Sequence, residues 1–434
     1  MNCNTQNAKI KSITEKTLIV GIDVGSETHY ARAFDWRNIE FSKKPFAFSN
    51  DEAGFTSFKA WLEDIKEKFG KTIVLPGMEP TGHYWFNLGA FLQDNEMKPV
   101  HVNPHHVHKS KELDDNNPSK NDCKDPKTIA TLVNEGRFNY PYIPTGVYAE
   151  IRSLYGFQVM TQEALIRVKN RIARWLSIYF PEYKDVYRSC DAISGVMVLR
   201  VCPLPADIVI LGADGVNKIW RDAKLRAAGM KRALNLVEAA KHSVGSTESP
   251  EAAKYEMELL LGDYDVYTKR LEELTEKIEV KMEEIPYVDK ILEIKGVGKK
   301  IVSGLIAEIG DISRFDNPKQ VQKLAGYAIV ACSSGKHKGE SHISYRGRKR
   351  LRYVLYEAAI SLIGQNAEFK EIHRYYLTRQ NNPLKKMESV IAVACKALRV
   401  FYAILTKGVS YDGKFMLESI RYPESQVLGN RIAA

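Results

Sequence analysis

The sequence has no closely spaced cysteine pair and no long apolar run. Its cysteines are scattered, without any C-x-x-C spacing, at Cys3, Cys123, Cys190, Cys202, Cys332 and Cys395. This distribution indicates neither a zinc site nor a disulfide framework, and it favours a reducing compartment. The apolar run after the polar first sixteen residues is too short to span a bilayer and is interrupted by Asp23. We therefore expect a soluble cytoplasmic protein without a membrane partner.

The chain also lacks a strong excess of one charge. Its 63 lysines and arginines against 53 aspartates and glutamates give a formal net charge of +10. That excess suits a polyanionic partner, but many soluble proteins are equally basic, so the position of the charges is more informative than their sum. The length of 434 residues predicts two to four domains.

Four carboxylates in the first third of the chain lie where turns meet strands or helices. They are Asp23, Glu79, Asp122 and Asp125, and Pro126 then opens a helix-like stretch. A single aspartate at such a place is often only a turn residue or a helix cap. Four in this order are the oxygen ligands that Mg²⁺ requires. The set therefore favours a metal site for phosphoryl-transfer chemistry on nucleic acid.

Residues 17–139 alternate between strand-like and helix-like patterns. We predict strands at 17–22, 28–34 and 41–48, a helix at 53–69, a strand ending at Glu79, a helix at 84–92 and a strand at 99–102. Ser49 to Glu52 fits a capping box for the first helix, which ends at Gly70. Three consecutive strands followed by alternating helices and strands predict a mixed α/β sheet.

The middle of the chain is predicted to be helical. A basic helix reaches Phe180 and carries Arg167, Arg171 and Arg174, and residues 182–250 form a helical insertion. Residues 253–285 follow an unbroken four-three apolar spacing in which only Lys281 is charged. This heptad pattern predicts a coiled coil or a long helical hairpin, and we expect it to mediate oligomerisation. A long helix packing inside its own subunit is the alternative.

Residues 291–309 resemble a helix-hairpin-helix element around Gly296-Val297-Gly298. Glycines there let backbone N–H groups approach a phosphate, and Lys295, Lys299 and Lys300 lie beside them. Further on, Ser333-Ser334-Gly335 precedes a dense basic run. The run comprises Lys336, Lys338, Arg346, Arg348, Lys349, Arg350 and Arg352 against the single acid Glu340. Basic residues beside a serine can hold a phosphate while a hydroxyl approaches it, although such a tripeptide is normally only a loop.

Together these motifs resemble the DEDD-type transposases of the insertion sequence one-ten family, recombinases guided by a structured bridge RNA. The resemblance covers residues 17–408. It is carried by residues 21–24, 79–84, 120–125, 296–298, 325–326, 334–335, 346–347 and 351–352. Pro126 stands where the family usually has alanine, and Ser26-Glu27 where many members have lysine.

The resemblance implies a RuvC-like (RNase H-like) α/β N-terminal domain, a helical coiled-coil middle and a mostly α C-terminal transposase domain with a helix-hairpin-helix. The expected divisions are a flexible tail 1–16, the metal-binding domain 17–150, the basic helix and insertion 151–250, the coiled coil 251–285, the serine transposase domain 286–410 and a tail 411–434.

It further implies that Asp23, Glu79, Asp122 and Asp125 bind Mg²⁺ and that Ser334 attacks the scissile phosphate to form a phosphoserine–DNA linkage. Ser333 remains open as the nucleophile. The implied partners are donor and target DNA and a guide RNA, all held by the basic run and the helix near Arg171, and further copies of the chain in a dimer or tetramer. We expect carboxylates and serine to meet across subunits.

Three other functions remain open from the residues. A RuvC-like nuclease or Holliday-junction resolvase would use the carboxylates for hydrolysis and Ser334 only for binding. An actin-like sugar kinase would use residues 21–25 as a phosphate loop, with residues 211–215 as the one visible candidate for its second loop. A DNA-binding scaffold would have no catalytic activity.

Overall fold

The computed structural model describes residues 3–41, 44–80, 82–115, 125–330, 333–334, 337–338 and 342–421. The chain forms two compact units, Met1–Ile143 and Pro144–Ala434. The first contains a six-stranded sheet with helices, and the second is helical apart from two short two-stranded ladders. The predicted mixed α/β domain followed by a mostly helical remainder is confirmed.

The first unit contains five helices and six strands within the described residues. In chain order they are α1 (Cys3–Ser12), β1 (Thr17–Asp23), β2 (Thr28–Phe34), β3 (Phe46–Ser49), α2 (Glu52–Phe69), β4 (Ile73–Met78), α3 (Trp85–Asp94), β5 (Val100–Val102), α4 (Pro104–Asp115), α5 (Asp125–Asn134) and β6 (Phe138–Asn139).

The sheet has the strand order β3-β2-β1-β4-β5-β6. β1 to β3 form an antiparallel meander, β1, β4 and β5 are parallel, and β6 is antiparallel to β5. Alternate residues of β1 enter two separate cores: Leu18, Val20 and Ile22 pack with α2 and α3, whereas Ile19 packs with α5. β1 is buried along almost its whole length because both of its faces are covered. This arrangement is consistent with the RuvC-like domain that the resemblance implies.

Two local predictions in this unit need correction. Residues 1–16 were expected to be a flexible tail, but Cys3–Ser12 form α1, Ile13 is buried, and Gln6 Nε2 donates to the Glu135 carbonyl at 2.9 Å. The predicted capping box at residues 49–52 is replaced by a single cap, because Oδ1 of Asp51 accepts a hydrogen bond from the Gly54 N–H at 2.7 Å. The helix ends at Gly70 as predicted, with φ of 63°.

The second unit contains thirteen α-helices, one short 3-10 helix (Ile312–Arg314) and four short strands within the described residues. They are α6 (Gly146–Tyr179), α7 (Tyr183–Val186), α8 (Ile193–Val201), α9 (Pro205–Asp222), α10 (Met230–Lys241), α11 (Pro250–Met282), α12 (Val288–Leu292), α13 (Lys299–Ile309), α14 (Pro318–Leu324), β7 (Ile329–Val330), β8 (Ser333–Ser334), β9 (His337–Lys338), β10 (His342–Ile343), α15 (Lys349–Gln365), α16 (Ala367–Thr378), α17 (Lys386–Lys407) and α18 (Gly413–Arg421).

The apolar seam of α11 packs against α6 of the same chain. The pairing is antiparallel: Trp175 Nε1 donates to the Ala253 carbonyl at 3.0 Å near one end, and Gln158 Nε2 donates to Thr275 Oγ1 at 2.9 Å further along. The heptad seam is therefore used within the subunit, as a long helical hairpin. The ends of the seam are fully buried, whereas Tyr264, Tyr267, Leu271 and Leu274 in its middle are half-buried. The expectation that the seam joins subunits stays a prediction.

Two hydrophobic cores lie along this helical hairpin. One contains the end of α6, the start of α11 and helices α7 to α10, so the predicted helical insertion packs there. The other contains Ile278 and Met282 of α11 with helices α12 to α17. Residues 411–434 were predicted to be a tail. In their first part Gly413–Arg421 instead form α18, and Met416 is buried in this second core.

Among the described residues, helix α17 is long and apolar enough to cross a membrane by length and composition. Its residues Val393, Ala397, Leu398 and Phe401 are almost fully buried in the second core. The sharply bent pair α8 and α9 would pass the same test only if the two helices were counted as one span. The core packing of α17 accounts for its apolar composition.

Candidate active site and nucleic-acid surfaces

Asp23 and Glu79 lie side by side at one edge of the sheet. β1 and β4 are parallel, and the last register pair between them is Ile22 with Met78. Asp23 ends β1 and Glu79 directly follows β4, so each carboxylate is one residue beyond that pair. Parallel neighbouring strands thus bring together two residues that are far apart in sequence.

Both carboxylates lie on the face of the sheet that α5 covers. Side chains alternate along a strand, and the odd-numbered residues of β1 and β4 face α5. Gly21 shows how close the helix comes: a Cβ there would lie 1.8 Å from the carbonyl oxygen of Pro126. Asp125 is the first residue of α5 and Pro126 follows it inside the first turn, a position that proline tolerates. Three of the four predicted carboxylates are therefore carried to the same edge and face.

The fourth carboxylate, Asp122, lies outside the described residues. Within the described ranges, no group of three or more histidine, cysteine, aspartate or glutamate side chains is arranged to hold a metal ion. The donor chemistry nevertheless fits a hard divalent cation, because Asp23, Glu79 and Asp125 offer only carboxylate oxygens.

His101 lies near this edge but on the opposite face of the sheet. It pairs in register with Met78, and its ring meets Trp85 edge-on with the centroids 4.3 Å apart. Burial lowers the pKa of His101 to about 4, so the imidazole is neutral near neutral pH. The neighbouring Val100 and Val102 face α5, which excludes His101 from the carboxylate face.

Ser334 is carried on a β-hairpin between α14 and α15, where the sequence suggested only a loop. Ser333 pairs with Lys338 and Ser334 with His337, while β7 pairs with β10 nearer the helices. Sequence analysis did not single out His337, the register partner of Ser334. The available signal was the two-residue spacing Gly335-Lys336 between the paired residues, which is a hairpin spacing.

The base of this hairpin is fixed by polar contacts. Nη1 of Arg352 donates to the carbonyls of Ala325 and Tyr345 at 3.2 and 3.1 Å. The hydroxyl of Tyr327 donates to the Arg352 carbonyl at 2.8 Å, and burial raises the pKa of Tyr327. Gly326 has φ of 78°, and a Cβ there would lie 2.7 Å from Nη1 of Arg352. These contacts hold the β7–β10 ladder against the start of α15.

The basic run divides into anchoring and exposed residues. Nη1 of Arg348 donates to the Glu308 carbonyl at 2.8 Å and lies 3.5 Å from its carboxylate, so Arg348 anchors the start of α15, as Arg352 anchors the hairpin. Arg346, Lys349 and Arg350 are exposed. Lys336 lies outside the described residues. The exposed members are the better candidates for nucleic-acid contact.

The predicted helix-hairpin-helix consists of a five-residue α12, a turn and α13. Gly296 has φ of 97° and packs on α15, where Ser361 Oγ donates to its carbonyl at 2.7 Å. Gly298 precedes α13 without a side-chain cap, and a Cβ there would meet open space. Lys295, Lys299 and Lys300 are exposed beside it, although Lys299 lies 2.6 Å from Glu279 and Lys300 lies 3.7 Å from Glu357.

The three predicted arginines of α6 are exposed. Arg171 lies 3.9 Å from Asp263 of α11, a distance at which an exposed ion pair is weak, while Arg167 and Arg174 face solvent beside the buried Val168 and Trp175. Residues 211–215, the candidate second loop of the kinase alternative, lie inside α9, where the chain is kinked at the non-helical Gly212 (φ of 70°) between two helical segments.

Two family models match this chain. A DEDD transposase model of IS110 matches residues 20–181, which include the described carboxylates Asp23, Glu79 and Asp125. A second model, described as a transposase of the IS116/IS110/IS902 family, matches residues 288–376, which include Ser334 and the basic run.

Curated relatives agree with these models. An insertion element IS116 uncharacterized 44.8 kDa protein from Streptomyces clavuligerus is 23% identical over 89% of this chain and 94% of its own length. The putative transposase y4rJ from Sinorhizobium fredii is 31% identical over 31% of this chain and 34% of the relative. A pilin gene-inverting protein from Moraxella bovis is 30% identical over 27% of this chain and 37% of the relative.

The fold and the two matched regions define a DNA transposase, an enzyme whose substrate is DNA. The chain belongs to the IS110 family of transposases, the one-ten insertion sequences. Its DEDD-type membership implies dependence on a divalent metal.

Proposed function

We propose that this transposase moves an insertion sequence by cutting and rejoining DNA through a covalent phosphoserine intermediate. The observation that carries the proposal is the convergence of Asp23, Glu79 and Asp125 at one edge and face of the sheet, in a chain that presents Ser334 on an anchored hairpin. Hydrolysis would need only the carboxylates, whereas a phosphoester kept on Ser334 would conserve the cleaved bond's energy for rejoining.

Asp23, Glu79, Asp122 and Asp125 would hold Mg²⁺. A bound Mg²⁺ would offset the negative charge of the scissile phosphate. The carboxylates would position the metal. Gly21 lets α5 pack close to β1, and this contact determines where Asp125 lies relative to Asp23.

Ser334 would act as the nucleophile. Its Oγ forms a bond to the scissile phosphorus while the bond to one deoxyribose oxygen breaks, and that oxygen leaves as a hydroxyl carrying the serine proton. In the second step a deoxyribose hydroxyl of the other DNA strand attacks the phosphoserine, restores the serine and forms a new phosphodiester. The two steps conserve the number of phosphoester bonds.

Arg346, Lys349 and Arg350 would contact the DNA, with Lys336 of the same run. Exposed Lys295, Lys299 and Lys300 beside the uncapped start of α13 support a phosphate contact there. Arg167, Arg171 and Arg174 would hold a structured guide RNA along α6. The pilin gene-inverting relatives suggest that inversion of a DNA segment belongs to the same chemistry.

Association of subunits is also part of the proposal. Because the heptad seam packs on α6 of the same chain, we infer that another face of α11 also contributes to association. Leu259, Val266 and Val280 are spaced by multiples of seven residues along α11 and are 52%, 46% and 62% exposed. Such a repeat supports packing against another copy in a dimer or tetramer.

The decisive experiment traps the intermediate. Intact protein is incubated with labelled donor DNA, guide RNA and Mg²⁺, and protein–DNA adducts are resolved on denaturing gels and mapped by peptide analysis. We expect an adduct at Ser334 that disappears in Ser334→Ala and in Asp23→Ala, with nucleic-acid binding retained. Ser333→Ala should only slow its formation.

Three outcomes would redirect the assignment. Cleaved DNA without any adduct from the Ser334→Ala protein would support a metal-dependent nuclease or resolvase. An adduct at Ser333 would keep the reaction and change the nucleophile. Full activity of Asp23→Ala in Mg²⁺ would remove the metal site.

A further inference from the structure

The helices α9 and α10 carry a basic cluster that neither family model covers, since the models end at residue 181 and resume at residue 288. We call residues 218–232 the basic tip. Its cations are Lys218, Arg221, Lys224, Arg226, Lys231 and Arg232, and its single acid is Asp222. These fifteen residues carry six cations and one carboxylate. Their net charge is therefore +5, against +10 for the whole chain.

The basic tip stands on a rigid support. Trp220 is fully buried, and its Nε1 donates to the Ser194 carbonyl at 2.8 Å. Arg221 donates to the carbonyls of Leu225 and Ala228, so its guanidinium shapes the connection between the two helices. Beyond it, α10 packs through Ala233, Leu236 and Val237. The cations are thus presented by a folded helical hairpin.

The cations of the basic tip differ from other cations of the same region in having no carboxylate partner among the described residues. Nearby cations have carboxylate partners: Lys169 with Asp191 at 2.5 Å, Arg200 with Asp265 at 2.5 Å and Lys254 with Asp207 at 3.1 Å. Across the described part of the chain, none of the six cations of the basic tip has a carboxylate within ion-pair distance. All six residues are exposed. Unpaired like charges repel one another, and a polyanion relieves that repulsion.

We propose that the basic tip is a separate docking site for the phosphate backbone of duplex DNA. DNA is the substrate of this class of enzyme, and a row of exposed lysines and arginines gives contacts to phosphates without reading bases. Gly229 precedes α10 without a side-chain cap, so the partial positive charge of this helix N-terminus adds to that of Lys231 and Arg232. The site would hold DNA through residues other than the carboxylates and Ser334.

The test neutralises three exposed cations whose side chains, within the described residues, form no hydrogen bond or ion pair. Full-length Lys224→Gln, Arg226→Gln, Lys231→Gln is compared with wild type by fluorescence anisotropy on a labelled mixed-sequence duplex over a salt series. Three lost phosphate contacts should reduce the slope of log affinity against log salt by about 2.7 and weaken binding at least about tenfold at low salt. The adduct at Ser334 on saturating DNA should still form.

Two control variants separate this effect from total charge and from folding. Lys66→Gln, Lys241→Gln, Lys269→Gln removes the same charge from lysines that already pair with Glu63, Glu238 and Glu273, and it should change the slope much less. Lys224→Arg, Arg226→Lys, Lys231→Arg keeps the charge and should keep the slope.

Equal slopes for the two neutralised triples would overturn the proposal. A loss confined to structured RNA, with duplex binding unchanged, would also overturn it and make the basic tip an RNA site.

Discussion

Nζ of Lys281 lies 3.2 Å from Oε2 of Glu150, so the only charged residue in the α11 seam pairs with α6 of the same chain. A second partner, Glu284, lies 2.9 Å away, and the two carboxylates raise the pKa of Lys281. The apparent defect in the heptad pattern is therefore part of the contact between α6 and α11. The seam stabilises the subunit itself.

The first prediction follows from this pairing. Leu271→Asp with Leu274→Asp places two charges against α6 and should lower the free energy of unfolding by about 2 kcal/mol or more. Thermal melts followed by circular dichroism measure the loss. An unchanged melting temperature would mean that the seam residues do not need their apolar contact with α6.

A matched pair on the exposed flank gives the control. Leu259→Asp with Val266→Asp also replaces two apolar residues of α11 by aspartate, but at exposed positions away from α6. This pair should leave the melting temperature nearly unchanged. If the flank joins subunits, this pair should lower the mass measured by light scattering. An unchanged mass would remove the flank from the association surface.

The second prediction concerns the contact that positions Asp125. Gly21→Ala inserts a methyl group 1.8 Å from the Pro126 carbonyl oxygen, so α5 must move away from β1. We expect strand cleavage to fall by at least about a hundredfold, because small displacements of catalytic groups have large effects. Gly262→Ala, where a Cβ meets nothing within 4 Å, is the control and should be neutral or slightly stabilising. Normal cleavage by Gly21→Ala would contradict the role of this close approach.

The third prediction separates the arginines of the basic run. Arg348→Gln and Arg352→Gln each remove hydrogen bonds from a guanidinium to backbone carbonyls and should cost about 1–3 kcal/mol of stability. Lys349→Gln with Arg350→Gln should leave stability unchanged and reduce the salt slope of DNA binding by about 2. Thermal melts and anisotropy titrations on wild type and these three variants distinguish the two effects. If the double variant loses as much stability as the single variants, or the single variants lose as much salt slope as the double variant, the division is refuted.

The fourth prediction is a pH dependence. The pKa of His101 in the folded protein is about 4, below its usual value of about 6.5, so the unfolded chain binds more protons between these values. Stability should therefore fall as the pH falls from about 6.5 to about 4. His101→Phe keeps an aromatic ring beside Trp85 and removes this titration, so its melting temperature should decline less over that interval. The buried His29, whose pKa is also lowered by burial, remains in both proteins and cancels in the comparison.

Local sequence patterns predicted most elements of the sheet and of the long helices. Alternation and turn residues placed β1, β2 and β4, and the heptad spacing placed α11 to within a few residues. The short elements were missed. The ladder of β8 and β9 has two residues in each strand, so its propensity is weak beside the pairing that tertiary structure imposes. α1 was missed because its sequence is polar and has no apolar periodicity. Its contact with the turn near Glu135 appears only in the tertiary structure.

The sequence by itself determined which residues could bind metal and phosphate, because carboxylates, a serine beside a glycine and clustered cations are chemical facts of the chain. Only the tertiary structure decided which of them lie together. Strand pairing placed Asp23 beside Glu79, helix packing brought Asp125 to the same face, and burial separated the anchoring Arg348 from the exposed Lys349. Chemistry is carried by single residues, but proximity depends on contacts between residues that are distant in the chain.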